Sequence, residues 1–187
     1  MRLFVALDLP AALRQRLAFL AGGLSGARWT PAENLHLTLR FIGEAPGWQA
    51  DEIDQALGAL RAPGFPLTLA GVGLFAKGGR GTALWAGVER TAALDHLHSK
   101  VETALQRIGL EPERRRFAPH VTLGRVDAVP EQRLAAYLQA HGLFRAEPVP
   151  IGHFTLFSSR LGKERAVYAA EAEYELSAAT PPLAPRW

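Results

Sequence analysis

Apolar positions change period several times along the chain, and each change marks an element. Residues 2–9 are an apolar run closed by Pro10. Pro10 suits the first turn of a helix in which Leu13, Leu17 and Leu20 share a stripe, ended by Gly22-Gly23. Residues 35–42 alternate with period two and predict a strand, and Ile53, Leu57 and Leu60 predict a helix over 48–60. Residues 66–75 and 82–88 read as a strand pair around Lys77-Gly78-Gly79-Arg80-Gly81. Thr91 is a candidate N-cap for a helix whose face is Leu94, Leu97, Val101, Leu105 and Ile108, with Gly109 as its stop. Residues 119–126 predict another strand. Pro130 opens a helix over Leu134 and Leu138 that Gly142 closes, and 148–157 with 164–175 predict a last strand pair.

Adjacent strand pairs mixed with helices predict an α+β fold with mainly antiparallel sheet. A faint repeat runs through it: a helix precedes each of two His-x-Thr strands, and a helix and a strand pair follow each. The two strands start at His36 and His120, 84 residues apart. This predicts one bilobal domain over residues 1–175, with helices outside and a pseudo-two-fold central cleft, and an irregular tail over 176–187.

Composition changes this picture little. The 187 residues, 48% hydrophobic and 21% charged, suffice for a core without covalent staples. The chain has no cysteine, which excludes disulfides, thiolate metal sites and a cysteine nucleophile. Asp8 interrupts the N-terminal apolar run too early for a signal peptide, and no apolar run is long enough to span a bilayer. No membrane association and a cytoplasmic location are therefore expected. The net charge of +3 is compatible with a polyanionic ligand. The excess of arginine over lysine fits two-point phosphate binding and fits equally a general bias toward Ala, Gly, Pro and Arg.

The chemistry lies in His36-Leu37-Thr38-Leu39 and His120-Val121-Thr122-Leu123. Residues i and i+2 of a strand share a face, so each motif sets an imidazole beside a hydroxyl while its apolar residues face the core. Two such strands side by side offer two imidazoles and two hydroxyls. One neutral imidazole can take a proton from water, and one protonated imidazole can give a proton to a leaving oxygen. The hydroxyls can hydrogen-bond phosphoryl oxygens as charge builds there. No carboxylate cluster offers a metal site, so neither metal nor cofactor is expected.

With their flanks, these residues resemble the two-histidine (2H) phosphoesterase superfamily, and within it the RNA 2′,3′-cyclic phosphodiesterases formerly called 2′–5′ RNA ligases. The likeness is carried by Arg2 to Leu7, by Glu33 to Glu44, by Phe117 to Arg125, by Phe154 to Ser158 and by Tyr168. It implies hydrolysis of a terminal 2′,3′-cyclic phosphate to a 2′-phosphate, with a weak reverse reaction joining RNA ends. It implies that His36 donates a proton to the leaving 3′-oxygen, that His120 accepts one from water, and that Thr38, Thr122 and Arg125 bind the phosphate. RNA ending in a cyclic phosphate, as tRNA fragments or oligonucleotides, is the implied partner, and a monomer is expected. Strict alternation sets Arg125 opposite His120, so this role needs a bulge or strand end to re-aim it, which Gly124 permits.

Other residues carry weaker expectations. Arg40, by alternation, shares the His36 and Thr38 face and is a candidate RNA contact. Arg114-Arg115-Arg116 is a solvated run or a steering patch. Phe41 and Phe117 are expected in the core, His96 and His98 on the surface, and His141 at a helix C-terminus. His153-Phe154-Thr155-Leu156 repeats the motif a third time in surroundings unlike the other two, either as a substrate contact or, the better reading, as an exposed strand pair with no role. Two further readings stay open: a non-catalytic module that binds RNA ends or nucleotides, and a 2H enzyme acting on a small cyclic nucleotide. Metal binding by the three His-x-Thr strands ranks below both.

Overall fold

The computed structural model describes residues 1–77, 80–162 and 166–178. The strands are β1 (Arg2–Asp8), β2 (Arg28–Trp29), β3 (His36–Glu44), β4 (Phe65–Leu67), β5 (Leu69–Lys77), β6 (Arg80–Val88), β7 (His120–Arg125), β8 (Val149–Ile151), β9 (His153–Leu161) and β10 (Ala166–Glu175). The helices are α1 (Ala11–Ala18), α2 (Gly47–Gly58), α3 (Ala92–Arg107) and α4 (Glu131–His141). Among the described residues, no helix is long and apolar enough to cross a membrane.

The main sheet runs β10-β9-β1-β3-β7-β6-β5, with β2 also paired to β7. All its pairings are antiparallel. β3 and β7 share one residue pair, Leu37↔Val121, whereas the pairings inside each half are extensive. The sheet is thus continuous but narrowest at its centre, where one paired position and the shared apolar core join β3 to β7. The predicted strands 66–75 and 148–157 are each split in two, and their leading pieces, β4 and β8, pair with each other outside the main sheet.

Leu3, Val5 and Leu7 of β1 join Leu37, Leu39, Leu84, Ala86, Val121 and Leu123 in one core. α2 and α3 pack on each other and on β10 and β3, and α4 packs on β5. Tyr137 of α4 donates to the Leu20 carbonyl at 2.5 Å, which ties α4 to the segment after α1. α3 forms as its pattern predicts: the Thr91 hydroxyl accepts from Leu94 N at 3.2 Å, Leu94, Leu97, Val101 and Leu105 are buried, and Gly109 follows with φ +89°. α1 ends at Ala18, earlier than its glycines suggest. Gly78 and Gly79 of the predicted β5–β6 loop, and residues 179–187 of the predicted tail, lie outside the described residues.

Candidate active site

The two motifs open β3 and β7, where the halves of the sheet meet. Leu37 and Val121 are fully buried and paired, so the residues on either side of them point to the opposite face. Continued one step each way, that antiparallel register sets His36 across from Thr122 and Thr38 across from His120. The four side chains are half-buried. His36 and His120 lie close enough that a charge on His120 disfavours a charge on His36.

Both imidazoles are held alike. His36 Nδ1 lies 2.7 Å from the Asn34 carbonyl, and His120 Nδ1 lies 2.7 Å from the Ala118 carbonyl. A carbonyl oxygen only accepts, so each Nδ1 carries a hydrogen and each Nε2 is left for chemistry. The anchors repeat at the 84-residue offset of the motifs. Asn34 is itself fixed, since its Nδ2 donates to the Ala166 carbonyl at 3.0 Å.

The surroundings of the two histidines differ. Phe4 lies 4.9 Å from His36 between ring centroids, and Tyr168 meets His36 edge-on at 5.3 Å. Phe4 also stacks on Phe157 at 5.2 Å. Phe75 meets His120 edge-on at 4.7 Å. Burial among these rings lowers the His36 pKa. The Asn34 hydrogen bond works to raise it, His120 adds to the lowering, and Asp8 opposes it.

Both motifs end in a β-bulge. On β7, Trp85 pairs with Thr122 but Leu84 pairs with Gly124, so Leu123 is an extra residue. Arg125 then pairs with Ala83 and returns to the Thr122 face, as its expected role requires. Gly124 is needed here. A Cβ would lie 2.7 Å from the Arg28 carbonyl oxygen and 3.1 Å from Trp29 Cα, both backbone atoms of β2. Arg125 is 61% exposed, with Nε 3.7 Å from Asp127, which also pairs with Arg28 at 3.0 Å.

On β3, Ala6 pairs with Thr38 but Val5 pairs with Arg40, with Leu39 extra. Val5 faces the core, so Arg40 faces the core too, and the expectation that it shares the His36 and Thr38 face is corrected. Arg40 is 8% exposed and bound to Glu102 and Glu113 rather than open to RNA. The same bulge turns Phe41 outward, 61% exposed and 6.1 Å from Phe4, where a core residue was expected. Neither shift is visible to strict alternation. His98, expected on the surface, is half-buried and stacked on Phe117 at 3.9 Å.

The third copy does not join the constellation. β9 pairs with β1 on the side away from β3, with Thr155 opposite Ala6. His153 pairs with Glu175, and Thr155 is 1% exposed. Among the described residues, no group of three or more His, Cys, Asp or Glu side chains is placed to hold a metal.

The family model described as the 2′-5′ RNA ligase superfamily matches residues 9–163. An RNA 2′,3′-cyclic phosphodiesterase of Thermotoga maritima is 31% identical over 186 residues, 94% of this chain and 96% of that protein. One of Aeropyrum pernix is 34% identical over 150 residues, 79% of this chain and 84% of that one. The crystal structure of Escherichia coli LigT with 3′-AMP superposes with a TM-score of 0.77 and 27% identity, covering 94% of this chain and 97% of LigT. A crystal structure from Thermus thermophilus gives a TM-score of 0.80 at 26% identity, covering 95% of this chain and 99% of that one.

Proposed function

The chain belongs to the 2′-5′ RNA ligase superfamily, and on that footing we propose that it is an RNA 2′,3′-cyclic phosphodiesterase working by paired histidine acid–base catalysis. The observation that carries the chemistry is the matched pair of imidazoles, each with Nδ1 on a backbone carbonyl and Nε2 free. His120 Nε2 takes a proton from water, and the water oxygen attacks phosphorus. The bond from phosphorus to the ribose 3′-oxygen breaks, and His36 Nε2–H protonates that oxygen. The products are a 2′-phosphate and a 3′-hydroxyl, and the two imidazoles have exchanged protonation states, which solvent resets. Thr38, Thr122 and Arg125 hold the non-bridging oxygens, Arg125 with a guanidinium suited to two parallel hydrogen bonds. Each proton transfer contributes roughly 10²–10⁴-fold.

His36 as the acid must carry a proton, yet burial favours its neutral form. The anionic substrate supplies the compensating charge, so His36 becomes a competent acid as the phosphate docks. The reverse assignment, His36 as base, is favoured by the same lowered pKa.

The substrates are tRNA fragments or oligonucleotides ending in a cyclic phosphate, acted on by a monomer in the cytoplasm. The test is hydrolysis of such an oligonucleotide, with chelator present, by wild type, His36→Ala and His120→Ala. Wild-type turnover to a 2′-phosphate, lost in both variants, is expected. Absence of wild-type turnover, with binding retained, would move the function to a small cyclic nucleotide or to binding alone.

A further inference from the structure

One backbone pair, Leu37↔Val121, joins the two halves of the sheet beneath the histidines. Strand pairing between β3 and β7 is confined to that position, and the rest of their approach rests on the apolar packing of Leu37, Leu39, Val121 and Leu123, yet acid–base catalysis depends on the gap between them, since a misplacement of about 1 Å can cost roughly 10²-fold. A second tie exists, and it is built on Arg40.

Arg40 leaves β3 on the core side, under the bulge, and reaches two structures at once. Its Nε lies 2.9 Å from Glu102 Oε2 of α3, an ion pair whose atoms are too far off line for a formal hydrogen bond. Its Nη1 donates to Glu113 Oε2 at 3.3 Å, and its Nη2 donates to the Glu111 carbonyl. Glu111 and Glu113 begin the segment that runs into the second motif. The same segment is held along its length. Glu113 N donates to Glu102 Oε1 at 2.9 Å, and Arg115 N donates to Glu113 Oε1 at 3.1 Å. Phe117 stacks on His98 of α3 at 3.9 Å and 10°, and Arg90 Nη1 donates to the Phe117 carbonyl at 3.3 Å. The next carbonyl, Ala118, is the one that orients His120.

We propose that Arg40 is a positioning residue: by binding Glu102, Glu113 and the Glu111 carbonyl, it fixes the 111–119 segment against β3 and so sets the orientation of His120 and its spacing from His36. The catalytic part of this inference rests on the function proposed above.

Burial makes a purely stabilising role a poor account of Arg40. A desolvated guanidinium recovers its solvation cost only through excellent partners, and apolar replacements of buried ion pairs are often neutral or stabilising. What arginine alone supplies is a rigid fork that hydrogen-bonds Glu113 and the Glu111 carbonyl while its charge pairs with Glu102. The carboxylates are arranged to receive it. Burial works to raise the Glu102 pKa, but hydrogen bonds from Gln106 and from Glu113 N, together with the Arg40 charge, outweigh it and hold the group ionised.

The test compares full-length wild type with Arg40→Met, Arg40→Lys and Glu113→Gln. The readouts are kcat and KM on a cyclic-phosphate oligonucleotide, thermal unfolding, and the ring-nitrogen NMR signals of His120 and His36. Expected for Arg40→Met is a kcat lower by roughly tenfold to a hundredfold with KM within about twofold. Its His120 Nδ1–H signal should move or broaden while that of His36 stays. Arg40→Lys, which keeps the charge without the fork, and Glu113→Gln should show the same change in smaller measure. Variants that unfold at lower temperature but keep wild-type kcat and His120 signals at about 25 °C would overturn the proposal. The NMR readout needs no substrate, so it separates failure of this inference from failure of the assigned activity. Should Arg40→Met not fold, the other two variants carry the same test.

Discussion

Replacing Gly124 with alanine tests whether the β7 bulge is what delivers Arg125 to the phosphate. The added Cβ would lie 2.7 Å from the Arg28 carbonyl oxygen and 3.1 Å from Trp29 Cα. Both are backbone atoms, so no flexible side chain can yield and β2 itself must move. That strand is held by its pairing with Gly124 and Arg125 and by the hydrogen bond from Thr30 N to the Leu123 carbonyl at 2.8 Å. Overpacking of this kind costs about 1–3 kcal/mol. For a chain of this length that is a fall in Tm of roughly 2–12 °C. The functional loss is separate. A charge-assisted hydrogen bond contributes about 1.5–3 kcal/mol, so loss of the Arg125 grip should lower kcat/KM by roughly 10- to 150-fold. The assay is kcat/KM on a cyclic-phosphate oligonucleotide, well below Tm, for Gly124→Ala, Arg125→Ala and the double variant. If the glycine acts through Arg125, the double variant is no slower than Arg125→Ala. Wild-type kcat/KM in a destabilised Gly124→Ala, or fully additive losses in the double variant, would refute the reasoning.

Three further outcomes follow from the site. Burial lowers the His36 pKa in the free enzyme and bound phosphate restores it, so the alkaline limb of kcat/KM should fall below pH 6.5 and that of kcat at higher pH; coincident limbs would contradict a substrate-charged acid. A substrate with sulfur in place of the bridging 3′-oxygen needs no acid, so it should restore turnover to His36→Ala and not to His120→Ala, and the opposite rescue would reverse the two roles. Burial lowers the pKa of both His36 and His98, so between those lowered values and the usual 6.5 the unfolded chain binds more protons than the folded one. Stability to urea should therefore fall as pH drops below about 6.5, and His36→Gln and His98→Gln should each flatten that slope.

Much of this was legible in the sequence because the signals were periodic and local. The Leu94–Leu105 stripe gave α3 with its Thr91 cap, and two alternating His-x-Thr segments gave the central strands and the placement of four polar side chains. What the sequence left unsaid depends on partners distant in the chain. Alternation set Arg40 beside His36, but a bulge is defined by the neighbouring strand. Val5 against Arg40 and Leu84 against Gly124 are register facts that neither strand carries alone. Residues 36–41 look alike whether Arg40 meets RNA or Glu102, since Glu102 lies 62 positions away. The carbonyl anchors at Asn34 and Ala118 leave no mark in the sequence for another reason. Any residue offers a carbonyl, so side-chain identity is silent about them.

The repeat also shows how a nearly symmetric pair of motifs can acquire two different histidines. Histidine, threonine, bulge and carbonyl anchor recur at the same offset of 84 residues. The symmetry breaks at the two residues that each bulge re-aims. In the first motif arginine goes inward and phenylalanine outward; in the second, glycine goes inward and arginine outward. Arg40 inside ties the first strand to the segment that carries the second histidine, which glycine at the matching position could not do. Gly124 inside lets β2 approach β7, which arginine there would block. On the open face the exchange gives a guanidinium at one end and the exposed ring of Phe41 at the other. A cyclic phosphate docked with its anion toward Arg125 and its sugar toward Phe41 can sit in only one direction. Under the proposed mechanism, that direction sets which imidazole faces the leaving oxygen and which faces the water.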